Sequence, residues 1–296
     1  MTSNSEYEAL VAGRHNNPFA ILGPHDGPTG RVVRTLQPDA LAVELVDGNG
    51  QKLADMVSVH DGGLFECPMP PRIRRYALRV SYASGEPVVV EDTYRFPSAL
   101  GEMDLYLLGE GSDKYIYRKL GAHPCDLLGV AGTRFAVWAP NAARVSVVGD
   151  FNYWDGRRHV MRLHPGNGIW EIFIPSVGEG ALYKYEIHDQ DGKLLPLKSD
   201  PYAAYHEAPP GNSSIVFASN YDWQDDDWMS RLTAEPDLGQ PVSVYEVHLG
   251  SWRRKDDGNY LTYRNLADEL VDYVASMGYT HVELLPVSEH PFDGSW

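Results

Sequence analysis

The side chains in this sequence that could do chemistry by themselves are few and scattered. The stretch YDWQDDDW (221–228) carries Asp222, Asp225, Asp226 and Asp227, and carboxylate oxygens are what a calcium ion takes. Three of the four aspartates are consecutive instead of alternating as ligands must, so the stretch reads as a solvated linker and no metal site is assigned. Cys67 and Cys125 are the two cysteines; they stand far apart without metal-ligand spacing. A chain of 296 residues has core enough to do without a disulfide, so two reduced, partly buried thiols are expected. Two loops follow strand-like runs and carry aromatic and titratable groups. One holds His248 and Trp252; the other, in HVELLPVSEHPFDGSW (281–296), holds His290, Asp293 and Trp296.

The chain around these residues has 43% hydrophobic and 22% charged residues, the balance of a globular protein. Its net charge of −16 repels phosphate backbones and anionic lipid, so neither nucleic acid nor membrane is expected as a partner. The start MTSNSEYEALVAGRHNN lacks the basic and apolar runs of a signal peptide, and no apolar stretch approaches the roughly 20 residues that span a bilayer. A cytoplasmic protein is the expectation.

A repeat organises the first two hundred residues. LGPH (22–25) returns as LGAH (120–123), and RVVRTLQPDALAVELV (31–46) as TRFAVWAPNAARVSVV (133–148). LFE (64–66) matches IWE (169–171), YALRVSYASG (76–85) matches YKYEIHDQDG (183–192), and DTY (92–94) matches DPY (200–202). The offset grows smoothly from 98 at Leu22/Leu120 to 108 at Asp92/Asp200, as small loop insertions would produce. Within each copy short alternating runs are separated by turn signals such as Asp47-Gly48 and Asp191-Gly192, the pattern of an antiparallel β-sandwich. Trp138 and Trp170 alternate with polar neighbours and are expected in the core. A helix over 5–12, closed by Gly13, is expected ahead of the first copy.

Beyond residue 226 the pattern changes to a strand near 242–247, a helix carrying Leu266, Leu270, Val274 and Met277 and stopped by Gly278, and a second strand over 281–285. Strand, helix and strand make a βαβ unit with parallel strands. Parallel sheets are covered on both faces, so the chain is expected to stop inside an unfinished α/β domain. The whole is mainly β: two tandem immunoglobulin-like antiparallel sandwiches, at 1–112 and 113–225, then the beginning of an α/β domain at 226–296.

YEVHLGSWRR (245–254), HVELLPVSEHPFDGSW, VGDFNYWDGRRHVMR (148–162) and LKSDPYA (197–203) together resemble the amino-terminal part of the bacterial glycogen branching enzymes. The likeness implies that the second sandwich is a starch-binding-type module and that 226–296 begins a (β/α)8 barrel of the α-amylase class. It implies a retaining transfer. One carboxylate attacks an α-1,4-linked sugar, another protonates the leaving oxygen, and a glucan 6-hydroxyl takes the chain to form an α-1,6 branch. Those acids lie on later barrel strands, so no catalytic residue is assigned in 1–296 and the chain by itself is expected to be inert. No cofactor and no metal are implied; the implied partner is glycogen or another α-glucan, and the complete enzyme is expected to be a monomer.

For sites, the resemblance points to Trp154, Lys184 and Asn212 as glucan-contacting residues, while the second stacking tryptophan of that pattern falls on Leu194. A flat indole on a loop suits the apolar face of a pyranose; the alternative for Trp154 is an anchor between domains. His290, Asp293 and Trp296 are placed at the rim of the barrel's cleft, where loop packing is the alternative role. Two other functions stay open: a glucan-binding or regulatory module that stands alone, and a debranching or trehalose-releasing enzyme of the same plan.

Overall fold

The computed structural model describes residues 4–27, 30–70, 73, 75–234 and 239–288. They divide into two compact units, 1–218 and 219–296.

Helix α1 (Asn4–Val11) opens the first unit and ends where Gly13 turns left-handed at φ 66°, with Leu10 sealed beneath it. The first repeat then runs β1 (Gly23–Gly27), β2 (Gly30–Leu36), β3 (Ala42–Val46), β4 (Lys52–Asp55), β5 (Val57–His60), β6 (Leu64–Pro68), β7 (Ala77–Ser81) and β8 (Val88–Val90). Among the described residues it forms two antiparallel sheets, β1-β2-β6-β5 and β4-β3-β7-β8. Their facing sides meet in a core of Val33 and Phe65 from one sheet and Val43, Leu45, Leu78 and Val80 from the other.

A helix that the sequence pattern does not announce, α2 (Glu102–Glu110), joins the repeats. It lays Leu105 and Leu108 over Leu120, Ala136 and Ile169. The second repeat comprises β9 (Gly121–Leu127), β10 (Val130–Trp138), β11 (Ala142–Gly149), β12 (Arg162–His164), β13 (Ile169–Pro175), β14 (Leu182–Asp189) and β15 (Ser214–Ile215). The sheets β12-β13-β10-β9 and β11-β14-β15 enclose Phe135, Val145, Val147, Trp170, Ile172, Tyr183 and Tyr185.

The repeat read from sequence is physical. Leu36 pairs with Leu64 in β2/β6, and their counterparts Trp138 and Ile169 pair in β10/β13. Val46 pairs with Ala77, and the equivalent Val148 with Lys184. The polar fixtures are duplicated too. His25 bonds the Leu22 carbonyl at 2.9 Å and His123 the Leu120 carbonyl at 2.8 Å. Tyr76 donates to Asp92 at 2.6 Å while the Tyr94 amide donates to the other carboxylate oxygen at 3.0 Å. Tyr183 donates to Asp200 at 2.7 Å and the Tyr202 amide likewise at 2.8 Å. Both aspartates are buried, and the loss of hydration pushes their carboxyls up, Asp92 to about 6.

The placement of Trp138 departs from expectation. Val137, not Trp138, pairs with Trp170, so Trp138 falls on the opposite face of its sheet and is 61% exposed, whereas Trp170 is buried. The neighbours of Trp138, Val137 and Ala139, are apolar, so the alternation with polar residues expected there does not hold and does not say which face is the core.

In the second unit the acidic stretch 221–228 is not simply a linker. Its aspartates Asp226 and Asp227 open α3 (Asp226–Ala234), where negative charge meets the positive end of the helix dipole. Then come β16 (Val244–Val247), the short α4 (Leu249–Trp252), α5 (Tyr263–Ser276) and β17 (His281–Leu284). Thr262 caps α5, and β16 and β17 pair in parallel, as the βαβ reading requires. Leu270 and Val274 of α5 pack on Val247.

Candidate functional site

Strands β11 and β14 position the candidate residues. Val148 pairs with Lys184 and Gly149 with Tyr183, so Lys184 stands beside the point where β11 gives way to the turn holding Trp154. Asn152 shapes that turn. Its Oδ1 accepts from the Gly149 amide at 2.9 Å, which directs Nδ2 to the Val147 carbonyl at 2.9 Å and to His159 Nδ1 at 2.8 Å. His159 Nδ1 therefore accepts and the ring is neutral; burial, with help from the Arg158 charge, lowers its pKa to about 3.

Tyr153 and Trp154 both adopt left-handed backbone, at φ 59° and 61°. Non-glycine residues there are uncommon and persist where surrounding bonds over-determine them. Trp154 is half-buried with its indole N–H donating to Asp150 at 2.8 Å. Tyr153 is 82% exposed, with the Arg158 guanidinium 5.7 Å from its ring centroid. It offers a second ring on the same turn. Sequence reading passed it over, though its place beside Trp154 in FNYWDG was the available signal.

Lys184 and Asn212, 28 positions apart, are brought together: the ammonium donates to the Asn212 side-chain oxygen. Ser199 donates to the Asn212 carbonyl at 2.7 Å, and Glu207 accepts from the Ser213 amide at 2.8 Å. The hydrogen bonds of Ser213 hold the Glu207 carboxyl below the usual range. The result is a partly exposed patch of ammonium, amide and carboxylate at the same end of the sheet as the Trp154 turn, a combination suited to hydroxyl groups. Leu194 pairs opposite His188, near the other end of β14, and is exposed.

The remaining candidates behave differently. Trp252 donates to the Tyr245 hydroxyl at 3.0 Å and packs on Tyr273, so it holds its unit together. His248 Nδ1 lies 2.9 Å from the Ser251 hydroxyl and lines a cleft of about 450 Å3 with Tyr260 and Pro286. His290, Asp293 and Trp296 lie outside the described residues. Among the described residues no cluster of His, Cys, Asp and Glu could hold a metal ion, and no helix is long and apolar enough to cross a membrane. Cys67 and Cys125 are unpaired, and burial pushes the Cys67 thiol up to about 11.

Comparison with known proteins now bears on this geometry. The family described as "carbohydrate-binding module 48 (isoamylase N-terminal domain)" matches residues 119–203, which hold Trp154 and Lys184. The family described as "alpha-1,4-glucan branching enzyme GlgB, N-terminal domain" matches residues 3–94. The 1,4-alpha-glucan branching enzyme GlgB of Rubrobacter xylanophilus is 55% identical over 297 residues, covering 100% of this chain and 41% of that protein. Through its whole length this chain is similar to the amino-terminal part of the branching enzymes. The Rhodospirillum rubrum member is 52% identical over 97% of the chain and 40% of its own length, so the chain spans about two fifths of these relatives. Among solved structures, apo pullulanase from Klebsiella pneumoniae matches 86% of this chain and 32% of its own, with a TM-score of 0.40 and 18% identity.

Proposed function

We propose that this chain forms the substrate-holding amino-terminal part of a 1,4-α-glucan branching enzyme that acts on glycogen-type α-glucan in the cytoplasm. The observation that carries the reading is 55% identity over an alignment that covers 100% of the chain, and with it both repeats and the βαβ unit. In this reading residues 1–112 are an amino-terminal sandwich, 113–225 a glucan-binding module and 226–296 the beginning of a catalytic barrel. The complete protein works as a monomer. It cleaves an α-1,4 link and passes the chain to a 6-hydroxyl with retention, through two carboxylates about 5 Å apart. Those acids lie outside residues 1–296, where His290, Asp293 and Trp296 line only the rim of the cleft. In the module, Trp154 stacks on a pyranose face while Lys184 and Asn212 address its hydroxyls.

Electrophoresis in native gels containing glycogen tests the binding half of this reading. The chain is expected to be retarded, and Trp154→Ala and Lys184→Ala each to weaken retardation by roughly three- to tenfold, the loss of one stacking or charged hydrogen-bond contact. Migration unaffected by glycogen would overturn it. Incubation with amylose tests the assignment of the acids: the chain alone is expected to form no α-1,6 links, and any branching by it would place a catalytic pair within 1–296.

A further inference from the structure

We propose that Trp138 is a second α-glucan-stacking ring, on the opposite sheet of the module from Trp154. The proposal rests on the reading of this module as a glucan binder. Trp138 ends β10, Trp154 follows the end of β11, and these strands belong to different sheets of the sandwich. Beside Trp138 lies an open cleft of about 610 Å3, lined also by Leu163, Pro140, Asn167 and Glu110.

The cleft is built instead of being a gap in packing. The Trp138 indole N–H donates to the Asn167 carbonyl at 3.0 Å, which fixes the ring. The Asn167 amide donates to the Leu105 carbonyl at 3.3 Å and its oxygen accepts from the Ile169 amide at 3.1 Å, tying the 165–168 turn to α2. Gly168 at φ 72° lets that turn lie against Pro140, where a Cβ would come within 2.7 Å of the proline Cα. A ring held this way loses little side-chain entropy on binding.

The lining suits a sugar better than a protein side chain. The exposed indole offers a flat apolar surface, while Glu110 and the 166–168 turn bring polar groups to the lining of the same cleft. A pyranose presents the same division, an apolar face and a hydroxyl rim. Two stacking sites on one rigid module let a single polysaccharide particle be held twice, raising its retention far more than that of a short oligosaccharide.

Fluorine NMR of the 296-residue chain labelled with 5-fluorotryptophan, each resonance assigned by single substitution, reads both sites during titration with maltoheptaose. We expect separate, saturable shifts of the Trp138 and Trp154 signals. Trp138→Ala is expected to weaken retardation in glycogen gels roughly three- to tenfold while the Trp154 signal still titrates, which also shows the variant is folded. Trp138→Phe, keeping a ring, is expected to recover part of the loss. A Trp154 signal that titrates beside an unmoved Trp138 signal overturns the second site and leaves the first reading standing. Silence from both overturns both. A Trp138 shift that survives while Trp154 stays silent supports this site and overturns Trp154 as a contact.

Discussion

At the scale of single residues, burial sets two opposed pH responses. Asp92 has its pKa raised from 3.8 to about 6 by desolvation, which outweighs its bonds from Tyr76 and Tyr94. The unfolded chain therefore ionises first, and stability falls as pH rises from about 4 to 6, by on the order of 3 kcal/mol for this group. His159 has its pKa lowered to about 3, so the unfolded chain takes up a proton first as pH falls below 6.5. Its contribution is complete above pH 6.5 and is lost progressively toward pH 3. Denaturant melts between pH 4 and 7 separate the two: the stability difference between wild type and Asp92→Asn is expected to change with pH in one direction, and that for His159→Gln in the other. Protonation of His159 would put a donor against Asn152 Nδ2, but with its pKa held near 3 the folded chain keeps the ring neutral down to pH 5, so glucan retention through the Trp154 turn is expected to be equal at pH 7 and pH 5. A fall in retention between pH 7 and pH 5 in chain that is still folded would contradict that neutral state.

Among the elements, the Trp154 turn depends on the close approach of β11 and β14 at its base. A Cβ at Gly149 would collide with the Leu182 carbonyl oxygen and lie 2.6 Å from a Phe151 ring carbon. Because the first obstacle is backbone, the strands must part. Gly149→Ala is expected to cost about 2–3 kcal/mol, as overpacking does, and to cut glucan retention more than its stability loss explains. A variant that melts normally and binds normally would show that the turn tolerates the shift. The α2 helix illustrates the reverse relation between pattern and position. Its own apolar periodicity is weak, and it is held by Leu105 and Leu108 packing on a sheet that the second repeat supplies.

For the 1–218 unit as a whole, the two sandwiches are fastened by polar groups as well as apolar ones. Glu171 of β13 accepts from Ser98 Oγ at 2.6 Å and the Ala99 amide at 2.6 Å, and lies 2.8 Å from His164 Nε2. Burial alone would raise this carboxyl, but these donors hold it below the usual range. Its stabilisation is thus present above the unfolded pKa and lost on acidification. The Tyr94 hydroxyl adds a second clasp, accepting from the Val160 amide at 3.0 Å and donating to the Arg158 carbonyl at 3.3 Å. Arg162 adds a third over the Phe19 ring at 4.0 Å. Glu171→Gln is expected to lower stability by roughly 2–3 kcal/mol, because it leaves a buried imidazole and amide short of a charged acceptor. An unchanged melting temperature at pH 7 would count against that role.

What the sequence determined by itself was whatever repeats or alternates locally. The duplicated sandwich, the βαβ unit and its capped helix α5 follow from periodicity and turn residues, because hydrophobic period and backbone geometry are coupled within a few residues. The likeness at FNYWDG and LYKYEI is also what points to Trp154 and Lys184, the residues proposed to contact glucan. Tertiary structure decided what depends on distant strands: that Trp138 faces outward and Trp170 inward, that Lys184 meets Asn212, and that Glu171 clasps the preceding sandwich. Each is a matter of register and of which face another segment covers. A one-residue shift in strand pairing exchanges the two faces, and the covering segment lies far away along the chain.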